Sequence, residues 1–467
     1  MINQNQTILI IGAGLCGSLL ALRMAQRGYQ VQLIEKRPDL RTADISAGRS
    51  INLAFSDRGM KGMKLVGLEE KVKKLCIPMY GRMIHDMESN SFLSRYSGRE
   101  DEYINSISRG GLNALLLDEA EKMENITLIF NHGCKKVDLE NGIGTFYDEE
   151  NDREVLLKGD IVIGADGAGS ALRKSMFLHK KFLFSFSQNF LTHGYKELTF
   201  PPAENGDYLT EKGALHIWPR GENMVIALPN LDGSFTVTLF LNWNEGEYNF
   251  ENLTTPERVL EYFEKYYPDA LALMPNLATE FFENPTAALG TIKCNPWSSY
   301  GKTLLMGDAA HAIVPFYGQG MNASFEDVVV FNRILDKHEG DWHKIFIEYE
   351  KERKKDTDAI ADLALDNFYE MKAHTASPLF QEKRKLETAF EKEFPFEYSS
   401  KYSLVTFNED IPYSEAMRRG RAQDKAILNL LADGKINLDK PLRDTLALVK
   451  RETESILHDD AIAKNLM

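Results

Sequence analysis

Gly12-Ala13-Gly14-Leu15-Cys16-Gly17 is the stretch on which the fold turns. A short β-type run, Thr7–Ile11, leads straight into it. A helical pattern follows to about Gly28, and a second β-type run, Val31–Ile34, ends at Glu35. Strand, G-x-G-x-x-G, helix, strand and acid together spell a βαβ dinucleotide-binding unit. The first glycine makes the turn. The second lets a pyrophosphate approach the backbone, and the third lets helix and sheet pack. Glu35 calls for a free ribose 2′-hydroxyl, which favours FAD or NAD over NADP at this place. Lys36 and Arg37 beside it read as solvated charges.

Two distant stretches repeat the theme of a strand followed by an acidic glycine turn. Asp160–Arg173 reads D-I-V-I-G-A-D-G-A-G-S-A-L-R, a buried-type strand, a turn holding Asp166, and a helix start. Thr303–Met306 is a β-type run, and Gly307–Asn322 continues G-D-A-A-H-A-I-V-P-F-Y-G-Q-G-M-N. Small residues let a flat ligand approach the backbone. Asp308 stands where it can accept from a sugar or ribityl hydroxyl. A helix starting near Gln319 leaves the N–H groups of Gly320, Met321 and Asn322 free for an electron-rich carbonyl or an anion. Taken alone, this stretch also reads as an ordinary glycine-rich turn. With the fingerprint, the two acidic turns can converge on one dinucleotide.

The remaining chain changes period. Pro78–Asp86 reads as a strand carrying Arg82, and Ser106–Arg109 opens a helix through Ala120. By composition alone Arg82 and Arg109 are surface arginines. Ala214–Trp218, Met224–Leu228 and Ser234–Leu241 alternate as antiparallel strands, the last two joined by Asn230-Leu231-Asp232-Gly233. Phe235, Val237, Leu239 and Leu241 share one face. Thr236, Thr238 and Phe240 share the other, which suits the wall of a small-molecule pocket or a half-solvated surface. From Phe325 the pattern is mainly helical, with one long helix over Lys354–Thr375 and a further segment over Pro395–Pro412.

With 467 residues and a net charge of −14, the chain is long enough for two or three domains and poorly matched to nucleic acid or anionic membrane. Cys16, Cys76, Cys134 and Cys294 form no C-x-x-C pair, so no zinc framework is expected and a reducing cytoplasm is. No charge-free run reaches membrane-spanning length.

Taken together, G-A-G-L-C-G with Glu35, G-A-D-G, and G-D-A-A-H followed by G-Q-G-M-N resemble the single-component flavoprotein aromatic hydroxylases. The runs G-R-S-I-N-L-A, G-R-M-I-H, H-G-Y-K-E-L, L-H-I-W-P-R and Y-S-L-V-T-F narrow the resemblance to the kynurenine 3-monooxygenase family. It extends from residue 7 to about residue 420. The resemblance implies an α/β fold: a Rossmann-like FAD-binding domain with an inserted antiparallel β-sheet substrate domain and a C-terminal helical region. The implied boundaries are 1–75, 101–180 and 291–375 for FAD binding, the last including the long helix. They are 76–100 and 181–290 for the substrate domain, and 376–467 for the helical region.

Carried over residue by residue, the resemblance implies that Arg82 clamps a substrate carboxylate, with hydrogen bonds from Tyr96, Asn367 and Tyr402. Leu215, Ile226, Phe240 and Phe316 would wall an aromatic ring, with Met371 near Asn367. For FAD the implied positions are Gly12, Gly14, Cys16, Gly17, Glu35, Arg37, Ala54, Arg109, Cys134, Asp308, Gly320 and Met321, to which the turn readings add Asp166 and Asn322. Position 317 is Tyr where relatives carry other aromatics or His, so it is assigned no role as a base. His311 is expected to be structural.

The implied activity is hydroxylation of L-kynurenine by O₂ and NADPH through a flavin C4a-hydroperoxide, in tryptophan degradation toward NAD. No catalytic side chain and no metal is required. The expected enzyme is soluble and cytoplasmic, without a membrane anchor, and a homodimer is left open. Rivals are a hydroxylase of another anthranilate-like aromatic acid, a flavin-dependent halogenase and a flavin-binding sensor. The halogenase is disfavoured because the chain has no W-x-W element. The sensor is disfavoured because it has no use for Arg82, Tyr96, Asn367 and Tyr402.

Overall fold

The computed structural model describes residues 6–42, 52–181, 183–373 and 378–465. They form two compact units. The first is Met1–Cys76, Ile107–Leu191 and Ala288–Ala361; the second is Ile77–Ser106, Thr192–Ala287 and Asp362–Met467.

The first unit is built on Thr7–Ile11. Its isoleucines and leucine are fully or almost fully buried, as expected for a strand covered on both faces. Among the described residues the sheet runs in the order Ser298–Ser299, Thr303–Leu305, Ile161–Gly164, Thr7–Ile11, Gln30–Ile34, Ile126–Ile129. All neighbours are parallel except the first pair. The register matters for function. Ile11 pairs with Ile34 and Gly164, and Gly164 pairs with Leu305. The turns at Gly12, Asp166 and Gly307 therefore leave the sheet at one carboxyl-terminal edge, where doubly wound sheets bind ligands. Helices Leu15–Gln26 and Gly320–His338 pack in the same core.

A three-stranded meander, His132–Asp138, Ile143–Asp148 and Arg153–Lys158, also belongs to this unit. Its strands mix polar and apolar residues, and the sequence reading did not single them out.

In the second unit, the part of strand Ser185–Phe200 from Thr192 onward, then Phe235–Asn242, Asn223–Pro229, Leu215–Arg220, Gly81–His85 and Ser91–Arg95 follow one another. Neighbours are antiparallel except where Leu215–Arg220 meets Gly81–His85 in parallel. One face is dry. Trp218, Val225, Ala227, Phe235, Val237, Leu239 and Leu241 pack with Tyr262 and Phe263 of helix Pro256–Tyr266. Helices Pro378–Glu393, Lys401–Thr406, Tyr413–Ala432 and Leu442–Asn465 follow, with a core around Leu386, Phe390, Ile427 and Leu446.

Three local expectations change. The strand expected over Pro78–Asp86 breaks at Tyr80 into Cys76–Met79 and Gly81–His85. The long helix begins earlier, spanning Trp342–Ala373, because Trp342, Ile345, Phe346 and Tyr349 already form a buried face. Within Pro395–Pro412 only Lys401–Thr406 is helical. No helix among the described residues is long and apolar enough to cross a membrane.

Candidate active site

The glycine fingerprint in the first unit is shaped by contacts that leave room on one side only. Gly12 has φ +99, and a Cβ there would lie 2.5 Å from the Ala165 carbonyl oxygen. A Cβ on Gly17 would lie 1.9 Å from the Gly12 oxygen, so only glycine lets the helix approach the turn. Gly14 differs. It caps helix Leu15–Gln26, and a Cβ there would meet nothing within 4 Å. That open space at a helix N-terminus fits a pyrophosphate.

Glu35 is buried at the end of Gln30–Ile34. One oxygen accepts from the Ala13 N–H at 3.0 Å; the other accepts from the Arg37 N–H and Nε at 3.1 and 2.9 Å. Arg37 is thus a partner of Glu35 as well as a solvent-exposed charge. The oxygen that accepts only from Ala13 retains acceptor capacity for a ribose hydroxyl. Asp166 accepts from the Ala171 N–H at 2.7 Å through Oδ2, while its Oδ1 is buried without a partner among the described residues. Burial pushes this carboxyl above its ordinary range. An orphaned buried acceptor is what a hydroxyl donor would satisfy. The open space at Gly14 and this orphan acceptor both fit FAD.

Gly307 has φ +61 and precedes the short helix Asp308–His311. Cys16 packs beneath it; its Sγ would be 3.0 Å from a Cβ at Gly307, and burial pushes the thiol well up. Cys134 lies on His132–Asp138, its thiol pushed up to about 12 by burial. Burial thus disfavours the thiolate of both cysteines. His311 Nε2 lies 2.6 Å from Asp327 Oδ2, and the same oxygen accepts from the Gly307 N–H at 3.0 Å. His311 therefore fastens the turn.

The side chain of Asn322 is fully engaged. It accepts from the Ser56 N–H at 3.0 Å and donates to the Ala54 and Gly318 oxygens at 2.8 and 2.9 Å. What it can offer a flavin is its backbone N–H, beside those of Gly320 and Met321. Arg109 opens helix Arg109–Glu121, is exposed, and is followed by Gly111, whose N–H donates to Ser108 Oγ. Phe316 lies in this unit too, buried on the 3₁₀ turn Pro315–Tyr317.

The second unit gathers the other named residues. Register fixes who shares a face: Arg82 pairs with Leu215, Ile217 with Ile226, Ile226 with Thr238, and Met224 with Phe240. Side chains alternate along a strand. Arg82, Leu215, Ile226 and Phe240 therefore stand on one face, opposite the dry core. On the dry side, His85 stacks on Trp218 at 4.1 Å and fixes the strand that presents Arg82.

The Arg82 guanidinium carbon lies 5.1 Å from the Tyr402 ring centroid and 5.8 Å from that of Tyr96. The two rings stack on each other at 5.4 Å and 12°. Burial pushes both hydroxyls above their ordinary range, and the Arg82 charge opposes that shift. They remain protonated donors. A guanidinium beside two phenol donors, at the margin of an apolar face, suits an aromatic carboxylate.

Asn367 is buried on helix Trp342–Ala373. One turn on, Glu370 accepts from Lys401 Nζ at 2.5 Å, which ties this helix to the one bearing Tyr402. The side chain of Met371 lies outside the described residues. The sequence reading missed Arg384 and Glu391 of helix Pro378–Glu393. Arg384 Nη2 donates to the Tyr96 carbonyl at 2.6 Å. Charged residues on a helix read as a solvated face, and nothing in their spacing says that Glu391 is buried or that Arg384 reaches a backbone carbonyl.

Residues 5–364 match the family described as FAD binding domain. The chain is 44% identical over 431 residues to a kynurenine 3-monooxygenase of Myxococcus xanthus, covering 92% of each. To that of Legionella pneumophila it is 40% identical over 466 residues, covering 98% of this chain and 99% of the relative. Among solved structures, the tetrameric form of 2-methyl-3-hydroxypyridine-5-carboxylic acid oxygenase superposes with a TM-score of 0.63 at 17% identity. It covers 82% of this chain and 97% of that one. The match to solved structures establishes the shared fold. The family model and the sequence relatives establish more: this chain is a member of the FAD-dependent kynurenine 3-monooxygenase family.

Proposed function

We propose that this chain hydroxylates L-kynurenine at the ring carbon ortho to the aniline nitrogen, giving 3-hydroxy-L-kynurenine, water and NADP⁺ from NADPH, a proton and O₂. The observation that supports it most is Arg82, held beside Tyr96 and Tyr402 on the sheet face that also carries Leu215, Ile226 and Phe240. Bound FAD supplies the activation of oxygen. The chain supplies position and dryness. Arg82 holds the α-carboxylate, and Tyr96, Tyr402 and Asn367 add hydrogen bonds. Leu215, Ile226 and Phe240 hold the ring. The aniline lone pair already makes the target carbon nucleophilic, so no protein base is needed at it.

FAD would be held by Gly12, Gly14, Gly17, Glu35, Asp166 and Asp308, and the N–H groups of Gly320, Met321 and Asn322 would be offered to it. The reading includes a cytoplasmic location, supported by four free cysteines.

The test is NADPH oxidation with product analysis, L-kynurenine against other anthranilate-like acids. Turnover confined to another acid would replace the substrate assignment. The purified protein should also be yellow and release FAD, not FMN, on boiling; colourless protein that takes up no flavin would refute the cradle.

Tyr402→Phe carries a subtler expectation. The Lys401–Glu370 bridge links the Tyr402 helix to that of Asn367, so substrate can draw the two together. Loss of one hydroxyl should weaken kynurenine binding by about 1–2 kcal/mol and raise the peroxide formed per NADPH consumed. An unchanged peroxide ratio at saturating kynurenine would leave Tyr402 a binding residue without a coupling role.

A further inference from the structure

Tyr96 and Tyr402 come from distant parts of the chain, yet their rings are nearly parallel. Tyr96 follows strand Ser91–Arg95, and Tyr402 lies on helix Lys401–Thr406. The structure shows one side chain bonded to both segments. Glu391, fully buried on helix Pro378–Glu393, accepts from the Gly98 N–H through Oε2 at 3.1 Å. Its other oxygen accepts from the Ser400 N–H at 2.8 Å and from Ser403 Oγ at 2.6 Å. Gly98 stands two residues beyond Tyr96. Ser400 caps the Tyr402 helix.

The same helix grips the first segment again. Arg384 Nη2 donates to the carbonyls of Arg95 and Tyr96 at 2.8 and 2.6 Å. Arg99 closes the junction from the other side, donating to the Tyr398 carbonyl at 2.5 Å and to Ser399 Oγ at 3.0 Å. A Cβ on Gly98 would lie 2.3 Å from the Thr388 carbonyl oxygen and 2.7 Å from the Lys392 nitrogen. The loop behind Tyr96 is therefore seated directly on the helix backbone.

A buried carboxylate is costly unless its oxygens are well bonded. Burial opposes the charge on Glu391, but the bonds from Ser403 and Ser400, the Arg384 charge and the Gly98 bond outweigh it and hold the carboxyl below its ordinary range. Packing alone would be served as well by an apolar residue. What an apolar residue would not do is fasten two separate segments by one rigid group.

We propose that Glu391 is a positioning residue for substrate binding: it sets the Tyr96–Tyr402 pair, and through that pair the Arg82 guanidinium. This rests on the reading of Arg82, Tyr96 and Tyr402 as the carboxylate site.

Glu391→Gln keeps the size but replaces one acceptor oxygen by an NH₂ group, which cannot accept. Whichever way the amide turns, one segment loses its bond. The expected result is a rise of about 10–150-fold in KM and Kd for L-kynurenine, the range for one lost charge-assisted hydrogen bond. The rise should exceed any fall in kcat, and FAD content per protein should match wild type. Ser403→Ala removes one donor only and should shift KM the same way by less; it carries the test if Glu391→Gln does not fold. Arg82→Met is measured in parallel. If Arg82→Met raises KM while the folded, flavin-loaded Glu391 and Ser403 variants bind kynurenine as wild type does, Glu391 only supports the fold and the proposal is overturned. If Arg82→Met itself leaves kynurenine affinity unchanged, the carboxylate site lies elsewhere and both readings fall.

Discussion

Replacing Arg82 by methionine is expected to weaken L-kynurenine binding by about 2–4 kcal/mol while FAD content stays at the wild-type level. The magnitude follows from what Arg82 offers and what surrounds it. Its strand is fixed on the far side by His85 stacked on Trp218, so the substitution does not release the backbone. Tyr96 and Tyr402 flank the partly buried guanidinium, which lies within cation–π distance of both rings. A carboxylate entering that site forms charge-assisted bonds in poor competition with solvent. Methionine retains length and apolar contact but no donor. Arg82→Lys should recover only part of the loss, because an ammonium lacks the planar fork that meets a carboxylate bidentately. Flavin absorbance titrated with kynurenine gives the affinity, and the ratio of flavin to protein absorbance gives the cofactor content. An affinity equal to wild type in a flavin-loaded variant would return Arg82 to the solvated surface.

That arginine also illustrates what a sequence can disclose. Thr7–Glu35 is legible because every feature of it is local: two apolar runs, three glycines at fixed spacing, one acid. The sheet faces are legible as well. The two-residue alternation in Phe235–Asn242 separates Phe235, Val237, Leu239 and Leu241, which pack in the dry core, from Phe240 on the other side. Composition alone left Arg82 on the surface; the resemblance singled it out, and its register with Leu215 and the two tyrosine rings give the physical setting that composition could not. Buried charge is least legible. Glu391, Lys383 and Arg353 look like any charged position on a helix, and their burial depends on partners from remote segments. The break at Tyr80 is of the same kind: its N–H donates to the Gly213 carbonyl, an acceptor far along the chain.

The largest stability effect is expected from Arg353→Met, by way of a network no motif announces. Asp327 is fully buried, and its Oδ2 holds both the Gly307 N–H and His311. Its Oδ1 accepts from Arg353 Nε at 2.8 Å. Arg353 also donates to Glu326 Oε2 at 2.7 Å and to the Ala323 carbonyl at 3.2 Å, and Arg58 binds the other Glu326 oxygen at 2.5 Å. Removing Arg353 takes the guanidinium partner from a fully buried carboxylate, which costs about 3–5 kcal/mol. The turn bearing Asp308 hangs from the same carboxylate, so flavin retention should fall with stability. A loss of packing alone would be pH-independent, and this loss is expected not to be. In the wild type, burial raises the Asp327 carboxyl pKa, but His311 and Arg353 outweigh it and hold the pKa below the ordinary value. A depressed folded pKa means stability that is present above the unfolded pKa of about 3.9 and lost as pH falls through the folded value. In the variant the arginine charge is gone and burial works against ionisation, so the Asp327 pKa rises. Acidification then protonates the stranded group in the folded state and relieves it. The stability gap between wild type and Arg353→Met, read by denaturant unfolding of the FAD-loaded proteins, should therefore narrow from about pH 8 to about pH 5. Adding Asp327→Asn should recover part of the loss at neutral pH, because no buried charge then lacks its partner. A gap that stays constant with pH, and that Asp327→Asn only widens, would mean that Arg353 contributes through packing alone and that the turn at Gly307 does not depend on its charge.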